Sequence, residues 1–250
     1  MTISSSAELD GMAEIGRLVG LALREMQQAA QPGMTTAELD TVGANFLRRH
    51  GARSAPQFTY DFPGFNCISV NEQVVHGVPG PRRLREGDVV KIDVTAELAG
   101  YIADAAVTLV LPPATQRAFD LRDCATAAFD RALGAVRSGG RLAEIGRRVE
   151  QEVERRGFSV VRELSGHGVG RKVHEKPSVL NFYSPQVRET LAEGLVLAVE
   201  PIISEKRAQV VEELDGWTLR TDNRCLAAHY EHTVVVTGGE PLVLTAATGN

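Results

Sequence analysis

Over residues 8–30 apolar side chains return at helical intervals: Leu9, Met12, Ile15, Leu18, Val19, Ala22 and Met26 share one face, with charged residues between them. The spacing predicts an amphipathic helix that "QPG" at 31–33 stops. "TTAELDTVGANFLRRHG" predicts a second helix, with threonines for its cap, Glu38 in its first turn and Gly51 past its end. From about 66 to 111 the period falls to two, as "CISV", "VVKIDVTAEL" and "YIADAAVTLVL" alternate around "AG" and predict a hairpin. Helical spacing resumes at 116–136 and 142–157, and strands are expected near 159–164, 195–203 and 231–237. The order is helix, helix, strands, twice over. Laying 33–51 on 139–157 sets Gly33, Ala37, Glu38, Arg49 and Gly51 on Gly139, Ala143, Glu144, Arg155 and Gly157. That match predicts one domain over 1–250, built from duplicated halves at about 8–111 and 116–245.

Composition narrows the function classes. With 43% hydrophobic and 24% charged residues in 250, the chain can bury one sizeable core. The net charge of −5 comes without a basic block, which argues against nucleic acid as a direct partner. Neither a secretory signal nor a membrane-length apolar run is expected, so no membrane association is expected either. Three cysteines, Cys67, Cys124 and Cys225, lack CxxC spacing. They disfavour a disulfide framework or thiolate zinc site and predict a cytoplasmic protein, with a monomer as the default.

Within "GLVLAVEPII" at 194–203, Glu200 interrupts what reads as a buried strand, and a carboxylate in apolar surroundings needs a cation, a donor or a proton. In the hairpin, a turn centred between Leu98 and Ala99 would set Asp93 directly across from Asp104, leaving Val90, Ile92 and Val94 on the other face. Two solvated acids on an edge hairpin are one reading of that pair; a cation bridging them is the other. His167 sits between glycines, which would let the backbone turn closely about its ring, and His174 follows in "VHEKP". His76 precedes a glycine in "VVHGVPG", and Glu231 begins a β-branched strand. An arginine salt bridge is the bland reading of either late glutamate, and would need a full hydrogen-bond set. Asp93, Asp104, His167, Glu200 and Glu231 together make a donor set suited to two divalent ions of the Mn, Fe, Co or Zn kind.

The motifs "CISVNEQVVHGVPG", "GDVVKIDVT", "SGHGVGRKVHEKP", "AVEPII" and "DGWTLRTDNRCLAAHYEHTVVVT" occur in the order and at roughly the spacing of type I methionine aminopeptidases, and the likeness runs from about residue 8 to 245. The resemblance implies the pita-bread fold, a pseudo-symmetric α/β (α+β) structure in which helices cover a curved, mainly antiparallel sheet. It implies dinuclear metal ligation by Asp93, Asp104, His167, Glu200 and Glu231. His76 and His174 become substrate-binding and catalytic, with Glu200 as ligand and proton shuttle, while Trp217, Cys67 and Phe62 line the pocket for the first side chain. The implied reaction is removal of the initiator methionine before a small second residue, by attack of a metal-bridged hydroxide on the first peptide bond. Nascent polypeptide N-termini are then the substrates and the ribosome a candidate partner.

Departures from that pattern are Ala105 and Ala106, where hydroxyl residues are common, Ala198 in place of threonine, Val173 in place of phenylalanine and Thr59 in place of tyrosine. They predict altered hydrogen bonding behind the ligands and a looser pocket. Two rival readings are a metallopeptidase cutting before proline, expected in a longer chain, and a silent binding module, expected to have lost ligands.

Overall fold

The computed structural model describes residues 1–246. It opens with α1 (Ser6–Ala29) and α2 (Thr36–Arg49), followed by β1 (Arg53–Ser54) and a short α3 (Ala55–Tyr60). Strands β2 (Cys67–Val70), β3 (Gln73–Val75), β4 (Val89–Leu98) and β5 (Tyr101–Val110) come next. Helices α4 (Gln116–Leu133) and α5 (Leu142–Arg155) precede β6 (Ser159–Val160), β7 (Ser165–Gly168), β8 (Glu175–Leu180) and β9 (Val196–Val199). The remainder is β10 (Ile202–Ser204), β11 (Val210–Glu212), β12 (Leu219–Thr221), β13 (Ala227–His229), β14 (Glu231–Val235) and β15 (Leu242–Val243).

Helices α1 and α2 begin where their caps dictate. Ser5 accepts from the Glu8 amide, and at α2 Thr35 and Glu38 form a reciprocal capping box. The principal sheet runs β1-β4-β5-β14-β9-β7-β8, with β2 and β15 attached at its side, and every pairing is antiparallel. One face carries Val90, Ile92, Val94, Ala103 and Ala105 into a core with α1 and α2. Leu197, Val199 and Val234 on the same face pack with α4 and α5. Helices cover that face, and the opposite face is left for chemistry. This is the helix-covered antiparallel sheet that the resemblance implied.

Two expectations about the strands need correction. Residues 195–203 are not one strand, because the ladder stops at Glu200 and Pro201, and β10 continues in a separate three-stranded sheet, β13-β10-β6. Proline has no amide hydrogen to donate, so it cannot extend the pairing. Nor does the β4–β5 turn centre between Leu98 and Ala99. Thr95 opposes Asp104 and Asp93 opposes Ala106, around a two-residue Ala99-Gly100 turn. Both turn residues have positive φ, 52° and 82°, as a type I′ hairpin requires, and glycine adopts the second without steric cost. Asp93 and Asp104 are therefore diagonal neighbours on one face.

The glycines beside His167 also act differently from expectation. They lie in β7, where a Cβ on Gly166 would come 2.3 Å from the Ala198 carbonyl oxygen and one on Gly168 2.3 Å from that of Lys176. Their role is close approach of neighbouring strands rather than a turn about the ring. Gly166→Ala is expected to force β7 from β9, costing about 1–3 kcal/mol. Calorimetry should show the melting temperature falling by roughly 2–4 °C per kcal/mol.

Candidate metal centre

Alternation sends the side chains of Asp93, Thr95, Asp104, Glu231 and Thr233 to the face away from α1, α2, α4 and α5, and pairing of His167 with Ala198 adds the imidazole. Glu200 arrives by a crease. Val199 opposes His232 on one side of the break and Ile202 opposes His229 on the other, so the ribbon holds its register and sets Glu200 across from Glu231. The acidic and imidazole groups thus converge from four strands and one strand break.

Asp104 is held at three points. Thr95 Oγ1 donates to Oδ1 at 2.8 Å, the Asp104 amide donates to Thr233 Oγ1 at 2.9 Å, and that hydroxyl donates to the Asp104 carbonyl at 2.8 Å. Thr95 and Thr233 supply the hydroxyls that Ala105 and Ala106 lack. Behind Glu200, Asn181 Nδ2 donates to the backbone oxygen at 2.8 Å. His167 Nδ1 donates to the Gly168 carbonyl at 2.9 Å, which leaves Nε2 facing Glu200 Oε1 at 3.4 Å and Asp104 Oδ2 at 3.9 Å.

Charge makes the arrangement untenable without help. Burial raises all four carboxylates well above their ordinary range; the next contribution comes from Asp104 at Asp93, from Glu231 at both Asp104 and Glu200, and from Asp93 at Glu231. The imidazoles give no positive charge, because burial lowers His167 and His229 to about 4. Among the described residues no arginine or lysine lines the pocket, and the buried Lys91 ammonium turns away to the Asn71 carbonyl at 2.7 Å. Asp93 Oδ1, Glu231 Oε1 and both ring nitrogens of His229 are buried with no hydrogen-bond partner. Orphaned carboxylate oxygens beside neutral imidazoles are the donor chemistry of a divalent first-row ion, and two groupings can hold one: Asp104, His167 and Glu231; and Glu200, His229 and Glu231. The residues fit the implied metals.

All ten residues singled out from the sequence line one pocket: Asp93, Asp104, His167, Glu200 and Glu231 at its floor, with His76, His174, Phe62, Cys67 and Trp217 around them. Phe62 and Trp217 meet edge to face with ring centroids 5.3 Å apart. His76 holds a left-handed backbone, φ 56°, at the end of β3, in a turn fixed by the Gly77 amide donating to Ser69 Oγ at 2.9 Å. Val173 lines the pocket but Thr59 does not; at the end of α3 Thr59 is exposed and Tyr60 faces the site. The Tyr60 hydroxyl lies 2.6 Å from His174 Nδ1, and the His174 ring is 4.4 Å from that of His167. Tyr60, Thr95, Thr233 and His229 escaped the sequence reading. For His229 a signal existed, since it stands two residues before Glu231 and strand alternation puts both on one face.

The model of metallopeptidase family M24 matches residues 10–238. The chain belongs to that family. This M24 peptidase is 43% identical over 247 residues to methionine aminopeptidase 2 of Bacillus subtilis, covering 98% of this chain and 99% of the relative. It resembles the crystal structure of methionine aminopeptidase from Thermotoga maritima with TM-score 0.95 and 34% identity, over 98% of this chain and 99% of that one. An Xaa-Pro dipeptidase from Bacillus anthracis shares the fold at TM-score 0.79 and 17% identity; this chain spans 63% of its length. The M24 peptidase is a hydrolase, and none of its described helices is long and apolar enough to cross a membrane.

Proposed function

We propose that the chain is an aminopeptidase that removes the initiator methionine from nascent proteins whose second residue is small. The observation that carries this reading is that the carboxylates and imidazoles share one pocket with the apolar side chains of Phe62, Cys67, Val173 and Trp217. A thioether side chain suits such an apolar lining, and the acidic groups in the same pocket would then lie near the first peptide bond. Asp93, Asp104, His167, Glu200 and Glu231 would hold two divalent ions, which when bound supply Lewis acidity and lower the pKa of water toward neutrality.

The chain's own groups do the rest. Glu200, opposite Glu231 and beside two neutral imidazoles, can take a proton from the attacking water and carry it toward the departing amine. His174 accepts from the Tyr60 hydroxyl at Nδ1, which leaves an N–H on Nε2 to donate to the oxygen that gains charge at the peptide carbonyl. His76, lowered to about 4 by burial and then by His174, is neutral and can hold the scissile amide nitrogen by a hydrogen bond. The same reading makes the protein a cytoplasmic monomer that meets its substrate at the ribosome, and takes the fold as one domain of duplicated halves.

Metal-stripped protein reloaded with Co, Mn, Fe or Zn should release methionine from Met-Ala-Ser and leave Met-Lys-Ser, Leu-Ala-Ser and Ala-Pro-Ser intact. Cleavage of Leu-Ala-Ser at a similar rate would remove the methionine assignment. Turnover of Ala-Pro-Ser alone would favour the proline-directed reading.

A further inference from the structure

His229 is 2% exposed, and neither of its ring nitrogens has a hydrogen-bond partner. Buried imidazoles are rarely left so, because an unpaired polar group in the interior costs about 1–3 kcal/mol. The ring is not an ordinary core histidine, since its Nε2 points between two carboxylates: 3.3 Å from Glu231 Oε2 and 3.6 Å from Glu200 Oε2. Neither approach is aligned as a hydrogen bond. Glu200 is shared in a way that mirrors this, since its other oxygen, Oε1, faces His167 Nε2 at 3.4 Å. Each oxygen of Glu200 looks at a different imidazole. Of the two groupings able to hold an ion, one contains His167 and the other His229, and only Glu231 belongs to both.

We infer that His229 is a direct metal ligand, so that the centre consists of six residues with an imidazole for each of two ions. The inference rests on the metallopeptidase reading and changes its ligand count. Its cause lies in the crease. The ribbon keeps its register past Glu200 and Tyr230, so alternation returns His229 to the side of Glu231, and pairing with Ile202 holds it there. An added nitrogen donor moves that position away from the all-oxygen surroundings that suit magnesium or manganese. It favours cobalt, nickel or zinc on the Glu200–Glu231 side.

The test uses full-length protein, stripped of metal, labelled with 15N-histidine and titrated with Co(II). Two imidazole N–H signals with the large contact shifts of coordinated rings are expected at two equivalents, one from each ligating ring and beyond the smaller through-space shifts of His76 and His174. His229→Gln keeps an N–H donor of similar reach but cannot replace an imidazole ligand well. It should lose one signal and bind its weaker Co(II) at least about 100-fold less tightly by calorimetry, beyond the 10–100-fold typical of losing a group hydrogen-bonded behind a ligand. A single contact-shifted imidazole in the unaltered protein would refute the inference without recourse to any variant. So would His229→Gln protein that binds both equivalents as before. Failure of the unaltered protein to bind Co(II) at all would instead overturn the metallopeptidase reading, and the inference with it.

Discussion

Glu231→Gln is expected to lower turnover by about 10³-fold or more while the protein stays folded. Glu231 belongs to both ion-holding groupings and is 2% exposed. Glutamine keeps its size but removes the negative charge, so the substitution empties the centre without opening a cavity. Asp104→Asn should behave alike. Thr233 grips the Asp104 backbone and Thr95 donates to one side-chain oxygen, contacts that an amide can retain. Since the carboxylates repel one another without metal, each metal-free variant should melt at or above the temperature of metal-free parent protein. Peptide hydrolysis and circular dichroism on the same samples separate the two effects. Activity within tenfold of the parent in either variant would remove the metal-centre assignment.

Metal should also dominate stability, and in a pH-dependent way. At a free ion concentration 100 times the dissociation constant, one bound ion adds about 2.7 kcal/mol. For a chain of this size that raises the melting temperature by about 5–10 °C. Without metal, Asp93, Asp104, Glu200 and Glu231 have pKa values raised well above 3.8 for aspartate and 4.5 for glutamate, chiefly by burial. The folded state then holds more protons than the unfolded one. Their contribution is complete below the ordinary carboxylate range and is lost as pH rises through the raised values. Ions take the place of those protons, so the gain from added metal should be larger at pH 7.5 than at pH 5. Scanning calorimetry with and without Co(II) or Mn(II) at the two values checks this. An equal gain at both would mean that these carboxylates are not the ligands.

How far the sequence could be read depended on whether a feature is periodic or local. The helices and the β4–β5 hairpin are periodic, and "VVKIDVTAEL" displays its two faces to anyone counting by twos. Alternation along strands points to Asp93, Asp104, Glu200 and Glu231, whereas Phe62, Cys67, Trp217 and the roles of His76 and His174 are legible only through the resemblance of the motifs; all ten line one pocket. The hairpin register was not legible, because moving a turn by one residue depends on which positions tolerate positive φ, here Ala99 and Gly100. Strands of three residues, such as β11 (Val210–Glu212) and β13 (Ala227–His229), are too short for a period to emerge. For His229 the signal is only its place two residues before Glu231, within a strand that shows no period of its own. Tyr60 was missed because the placement of the α3 side chains, and so the choice between Thr59 and Tyr60, is set by where that six-residue helix docks.

The join between β5 and β14 is short, with only Glu231 against Ala106 and His232 against Ala105 in register. It is where the part of the large sheet covered by α1 and α2 meets the part covered by α4 and α5. Asp104 stands on one bank of that seam and Glu231 on the other. Flexing of one part against the other would change the gap between those two carboxylates, so an ion held by both would act as a rivet. The protein's mechanical stiffness and its chemistry would then be secured, and released, together.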